Sequence, residues 1–228
     1  IGALVGGVYA KNASAEITRS VTIDLFPTRK AAKKKIFDYT VPLHGILLGR
    51  KAMRLVRNAT DGADFLDLKI PAYLVAVDIF RGEEVLLSEG DVSEAVRASI
   101  SIPGIFNPFR YRGRWMVDGG LLNPVPVDIL VQKGANIIIA VCVEQERECV
   151  KSGTPSILNV LSLTMNIVHS HATGDFAQLA DIVIYPRVTG YAWDDFHRGP
   201  ELMEAGIKAC REHVDDIKRL IARKMSLD

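Results

Sequence analysis

Cysteine is scarce in this chain, and so are long apolar runs and excess charge, and each scarcity closes off a class of function. Three cysteines, Cys142, Cys149 and Cys210, are odd in number and have the paired short spacing of neither a zinc site nor a disulfide framework, so a reducing compartment suits them best. No apolar run reaches the ~18 residues that a membrane span requires, and the first residues lack the charged start and cleavage site of a signal peptide. Excess charge is missing too. Lys and Arg number 28 against 27 Asp and Glu, a formal net charge of +1, which gives nucleic acid no claim as the partner. There is no internal repeat and no low-complexity tract. The expectation is a cytoplasmic polypeptide whose membrane contact, if any, is peripheral.

What is present is apolar content. With 48% apolar residues over 228 positions, the chain can bury a sizeable core as one domain, 1–228. "AYLVAVDIF" at 72–80 has strand composition, and "RGEE" turns it into "VLLS", a hairpin pattern. A helix follows from Asp91, whose side chain is a plausible cap, to about Ser99. "RWMVD" at 114–118 reads as a short strand inside a loop region dense in proline. "NIIIAVCV" at 136–143 and "DIVIYP" at 181–186 read as strands buried on both faces, with a helix over roughly 156–179 between them. A last helix runs from Pro200 to about Met225. Helices alternating with buried strands predict an α/β layered fold.

The opening "IGALVGGVYA" places Gly2, Ala3, Gly6, Gly7 and Ala10 on one helical face, which suits close approach to a strand. Each helical glycine costs about 1 kcal/mol against alanine, so tight packing has to return that energy. Further on, Arg29, Lys30, Lys33, Lys34 and Lys35 form a basic cluster with no acid between Asp24 and Asp38. Beside an anionic bilayer such a patch gains about 1 kcal/mol per cation. A solvated helix face explains the same residues.

"MVDGGLLNP" is the stretch that points to chemistry. In open α/β sheets the carboxyl ends of strands face the ligand crevice, and Asp118 ends a strand with Gly119 and Gly120 after it. An ordinary Asp-Gly turn fits the same three residues. Asn123 and Pro124 read as shaping the loop. Asp78, near another strand end, is an alternative acid, with a structural hydrogen bond as its simpler explanation. Among the five histidines, His169 and His171 are two apart in a predicted helix and make a poor metal pair, His44 reads as a surface or hydrogen-bonded residue, His197 as capping or pairing near the last helix, and none of the five, His213 included, takes a catalytic role.

Taken together, "IGALVGGVYA", "SISIPGIFNPFRYRGRWMVDGGLLNPVPVD" and "DIVIYPRVTGYAWDDFHRGPELMEAGIKA" resemble the patatin-like phospholipase family, in its bacterial branch related to neuropathy target esterase. The resemblance is weakest over 12–65. It implies a patatin-like layered fold, with a central mostly parallel sheet flanked by helices, and a Ser-Asp dyad acting on phospholipid, lysophospholipid or other acyl esters without metal or cofactor. Asp118 matches the catalytic aspartate, Gly119 and Gly120 match the family's glycines, and Gly2 matches the final glycine of a G-x-S-x-G elbow. The serine is then expected one residue upstream of Ile1, whose N–H would help to stabilise an oxyanion. On this reading the chain is N-terminally truncated, lacks the nucleophile strand and the oxyanion loop, and is inactive by itself. A non-catalytic α/β module that binds lipid or protein is the competing reading.

Overall fold

A computed structural model of the chain describes residues 2–25, 34, 37–40, 45–143, 160, 161, 163–165, 167, 168, 178–188, 191 and 195–226. Two compact units divide the chain, 1–122 and 123–228.

The first unit holds helices α1 (Gly2–Asn12), α2 (Ala15–Leu25), α3 (Arg50–Ala59) and α4 (Val92–Ser99), with strands β1 (Leu74–Asp78), β2 (Glu83–Leu87), β3 (Phe109–Tyr111) and β4 (Arg114–Asp118). The strands form one sheet in the order β2-β1-β4-β3, and every pairing in it is antiparallel. Connection lengths dictate this for β1–β2 and β3–β4, because a handful of residues can join only antiparallel neighbours. Asp78 and Glu83 are paired across a four-residue turn that Gly82 closes at φ 65. Tyr111 and Arg114 are joined by Arg112 and Gly113, at φ 47 and 82, the two consecutive positive values that a tight hairpin demands. The β1–β2 hairpin read from the sequence is thus present.

The expected cap also forms: Ser93 and Glu94 donate their backbone N–H groups to Asp91 Oδ1, at 2.7 and 3.2 Å. Helix α4 then covers one face of the sheet. Val92, Ala95, Val96 and Ala98 are buried in one cluster with Leu74, Ala76, Leu87, Tyr111 and Met116. The small-residue face of α1 meets a helix instead of the strand expected from its glycines. A Cβ on Gly7 would sit 3.2 Å from Val92 Cγ1 and 3.6 Å from Val96 Cγ2, whereas Gly2 and Gly6 have no neighbour within 4 Å of that position. Tight packing therefore accounts for one of the three glycines.

The second unit holds α5 (Val127–Gln132), β5 (Ile139–Val141), β6 (Ile182–Ile184), α6 (Gly199–Glu212) and α7 (Val214–Met225). Strands β5 and β6 are parallel, the one parallel pairing of two strands among the described residues. Burial along β5 alternates: Ala140 is buried with Val127, Ile138 and Cys142, while Ile139 and Val141 are exposed. The strand is therefore not covered on both faces as its unbroken apolar run suggested. The last helix is two helices divided at His213, because Asp215 and Asp216 favour the start of a new helix over the continuation of an old one. Of the helix expected over 156–179, residues 160, 161, 163–165, 167 and 168 are described as helical, whereas 178 and 179, at its expected end, lie in a turn. No helix among the described residues is long and apolar enough to cross a membrane.

Candidate active site

Asp118 stands at the carboxyl end of β4, where the strand passes into a 3-10 turn formed by Gly119–Leu121. Three features fix it there. Its backbone is paired with Ala76 across β1. Its N–H donates to the Ser101 carbonyl at 3.0 Å. Its Oδ1 accepts the Gly120 N–H at 2.8 Å, which anchors the half-buried carboxylate two residues along its own chain. The turn that competes with catalysis as an explanation is thus present, and it fixes the orientation of the carboxylate.

Gly119 has a steric reason to be glycine. A Cβ there would lie 2.3 Å from the Val75 carbonyl oxygen, so the end of β4 is pressed onto the backbone of fully buried β1. The sequence grouped Asp118, Gly119 and Gly120 as one site, and the fold keeps them as one local unit. Gly2 is the first residue of α1 and is exposed. Its neighbours Ala3 and Leu4 pack on the cluster that contains Met116 and Ala98, so the first turn of α1 and strand β4 rest on a common core. Ile1 lies outside the described residues, as do Arg29, Lys30, Lys33 and Lys35, and His44, His169 and His171. Lys34 is exposed, and its carbonyl accepts a hydrogen bond from Lys51 Nζ at 3.1 Å.

The alternative acid is fully engaged in structure. Asp78 is 4% exposed; its Oδ2 takes Arg114 Nε at 2.7 Å, and its Oδ1 takes the N–H groups of Phe80 and Arg81 at 3.1 and 3.3 Å. Donation from Arg114 leads in holding this carboxyl below the ordinary carboxylate range, the two backbone bonds add to it, and burial opposes them. It closes the β1–β2 turn. Asn123, 1% exposed, donates from Nδ2 to Asp128 Oδ1 at 2.8 Å and so ties the residues leading into α5 to that helix's first turn.

Neither described histidine shows the arrangement of a general base. His197 Nδ1 is 3.9 Å from Asp195, and His213 Nδ1 is 2.9 Å from the Ala209 carbonyl at the junction of α6 and α7. Among the described residues no three His, Cys, Asp or Glu side chains are grouped to hold a metal ion.

Two polar residues that sequence reasoning passed over are linked to the Asp118 backbone, Ser101 directly and Arg97 through it. Arg97, 2% exposed, sits in the last turn of α4, and Ser101, fully buried, follows that helix. Arg97 Nη1 donates to Ser101 Oγ at 2.6 Å. Its sequence signal was slight: one cation between Val96 and Ala98 in a segment that is otherwise small and apolar.

Comparison with known proteins agrees with the residues that carry this geometry. The family model for patatin-like phospholipase matches residues 1–131. An uncharacterized NTE family protein of Mycobacterium tuberculosis is 33% identical over 144 residues, covering 62% of this chain and 38% of the relative. A second from the same species is 34% identical over 122 residues, covering 54% and 21%. Patatin-like phospholipase domain-containing protein 6 of Mus musculus is 27% identical over 150 residues, covering 65% of this chain and 11% of its own length. The matches thus span well under half the length of each of these relatives.

Proposed function

We propose that this chain, which belongs to the patatin-like phospholipase family, carries the acidic half of a serine–aspartate dyad that hydrolyses acyl esters of lipids, phospholipid or lysophospholipid among them. The serine stands immediately before Ile1, at the turn into α1, and Asp118 is its base. A serine hydroxyl is a weak nucleophile until its proton is taken, and a carboxylate within ~3 Å takes it directly, with no imidazole between.

The freed oxygen attacks the acyl carbon. Negative charge then develops on the former carbonyl oxygen beside the N-terminus of α1, where the Ile1 N–H and the positive end of the helix dipole stabilise it. As the tetrahedral species collapses, the departing alcohol recovers the proton held by Asp118. Water attacks the acyl-serine with the same carboxylate as base, which releases the fatty acid and restores the serine. No step requires a cofactor.

One observation carries the reading: the Asp118 carboxylate is anchored at the end of β4, on the same core against which Ala3 and Leu4 of α1 are packed. Within this proposal the chain is part of one patatin-like domain, β5 and β6 belong to a mostly parallel central sheet, and the Arg29–Lys35 cluster makes peripheral contact with anionic lipid.

The test uses the full-length protein. The residue before Ile1 is identified, a fluorophosphonate probe reports whether it is a reactive serine, and hydrolysis of lysophospholipid is compared with that of short nitrophenyl esters. Asp118→Asn is expected to lower kcat by about 10²–10⁴-fold, the usual contribution of a general base. A fully active Asn variant removes Asp118 from the mechanism. Any side chain other than serine before Ile1 makes the domain a binding module.

A further inference from the structure

Arg97 is a cation in a place that ought to exclude one. Taking a charge out of water costs several kcal/mol unless partners replace the solvent, and none of its hydrogen-bond partners among the described residues is a carboxylate. Nη1 donates to Ser101 Oγ at 2.6 Å, while Nη2 donates to the carbonyls of Leu48 and Asn107 at 2.7 and 2.8 Å. The rings of Phe106 and Phe109 lie 5.3 and 5.4 Å from the guanidinium carbon. Asp38, whose charge favours the cation, spends its own carboxylate on the N–H groups of Gly49, Arg50 and Lys51. Burial pulls the Arg97 pKa down to about 10, which leaves it charged at neutral pH.

Its three acceptors come from three separate stretches of chain: the approach to α3, the exit from α4 and the approach to β3. Ser101 is gripped twice, since its Oγ also donates to the Arg97 carbonyl at 2.9 Å. The Ser101 carbonyl in turn accepts the Asp118 N–H. Gly49 makes room for the guanidinium, because a Cβ there would fall 2.1 Å from Arg97 Nε.

We infer that Arg97 is a positioning residue for Asp118: by pinning Ser101, Leu48 and Asn107 to one rigid fork, it fixes the carbonyl against which the Asp118 backbone is set, and so the aim of the carboxylate. This role rests on the reading of Asp118 as the base. A lysine is a single point donor that cannot span all three acceptors in one plane, so Arg97→Lys keeps the charge and loses the geometry. Ser101→Ala keeps the carbonyl and removes only the hydroxyl that Arg97 holds.

The experiment measures ester hydrolysis, fluorophosphonate labelling rate and thermal midpoint in the full-length protein. The variants are Arg97→Lys, Ser101→Ala and Asp118→Asn, together with the two doubles that contain Asp118→Asn. Labelling can be followed for hours and so stays measurable in slow variants. Arg97→Lys and Ser101→Ala are expected to lower kcat by roughly 10–100-fold, as a sub-ångström to 1 Å misplacement does, with KM unchanged. Each double should label no more slowly than Asp118→Asn alone, because the aim of an amide that accepts no proton has no consequence.

Doubles that multiply the single losses, or singles that retain the parent kcat, overturn the role of Arg97 and leave the base assignment standing. An Asp118→Asn variant as active as the parent overturns both. Should Arg97→Lys fail to fold, Ser101→Ala decides the matter in the same way. Its own failure to fold would assign the Arg97–Ser101 pair to stability alone and overturn the inference.

Discussion

Replacing Gly119 with alanine would put a Cβ 2.3 Å from the Val75 carbonyl oxygen and 2.6 Å from both its carbonyl carbon and its Cγ2. Ordinary non-bonded contact needs roughly 1 Å more. Val75 cannot give way cheaply, since it is buried in β1, opposes Leu86 on one side and adjoins Ala76, the residue paired with Asp118. Movement therefore falls on Gly119 and draws Asp118 with it. Forcing an extra carbon into a packed position costs about 1–3 kcal/mol, which lowers the thermal midpoint of a chain of this size by about 2–12 °C. The larger consequence is for the acid, because a displacement near 1 Å costs about 10²-fold in rate. Differential scanning fluorimetry and ester hydrolysis on the full-length Gly119→Ala protein measure the two effects together. The fall in kcat should far exceed any unfolded fraction at the assay temperature. A variant with the parent's midpoint and the parent's kcat would refute both the close approach of β4 to β1 and the part that approach plays in aiming Asp118.

Three more outcomes are expected. Gly6→Ala, where a Cβ meets open space, should stabilise the protein by about 0.4–1 kcal/mol through a less free unfolded chain, whereas Gly7→Ala, 3.2 Å from the stiff and fully buried Val92, should lower stability; urea midpoints of the two variants distinguish them. Asp78 has a folded-state pKa below its unfolded value, so its contribution is fully present above the unfolded pKa and is lost as pH falls through the folded one. Asp78→Asn should accordingly destabilise the protein at pH 7 and flatten the acid limb of its stability profile, and an unchanged limb in urea titrations below pH 5 would count against the Arg114 pairing. Asp38→Ala removes the carboxylate that accepts three backbone N–H groups at the start of α3, at 2.8, 2.8 and 3.1 Å, and should cost about 1–2 kcal/mol, read as a lowered thermal midpoint.

The parts of this fold that were legible in the sequence are those that neighbouring residues encode. The β1–β2 hairpin is written as two apolar runs around a turn, the cap of α4 as an aspartate ahead of a helical segment, and the placement of Asp118 as a strand that stops at two glycines. Partners distant in the chain were harder to read. Small residues on α1 announced a close contact without naming its partner, and a helix took the place expected for a strand. A continuous apolar run at 136–143 suggested cover on both faces, yet Ile139 and Val141 are exposed, because hydrophobicity records what a position tolerates and not what lies opposite it. The break at His213 turned on two aspartates that favour a new helix start, a smaller term than the apolar stripe running through both helices.

Arg97 is the sharpest case, and its obscurity has a physical cause. Two of its three acceptors are main-chain carbonyls, of Leu48 and Asn107, and the Asp118 N–H is set by a third carbonyl, that of Ser101. Any amino acid supplies a carbonyl, so nothing in the residue types at those positions announces that a cation will arrive. Only the consequences of that arrival reach the sequence. Gly49 is held at φ 75 where a Cβ would collide with the guanidinium, and an arginine stands in a helix whose other buried residues, Ser93 apart, are apolar. Each mark has an innocent explanation by itself, a loop glycine and a surface cation. Their meaning appears when 47 residues of intervening chain fold Gly49 onto Arg97. The proposed base was therefore readable as a motif, while the scaffold proposed to aim it was not, since the motif is made of side chains and the scaffold largely of backbone.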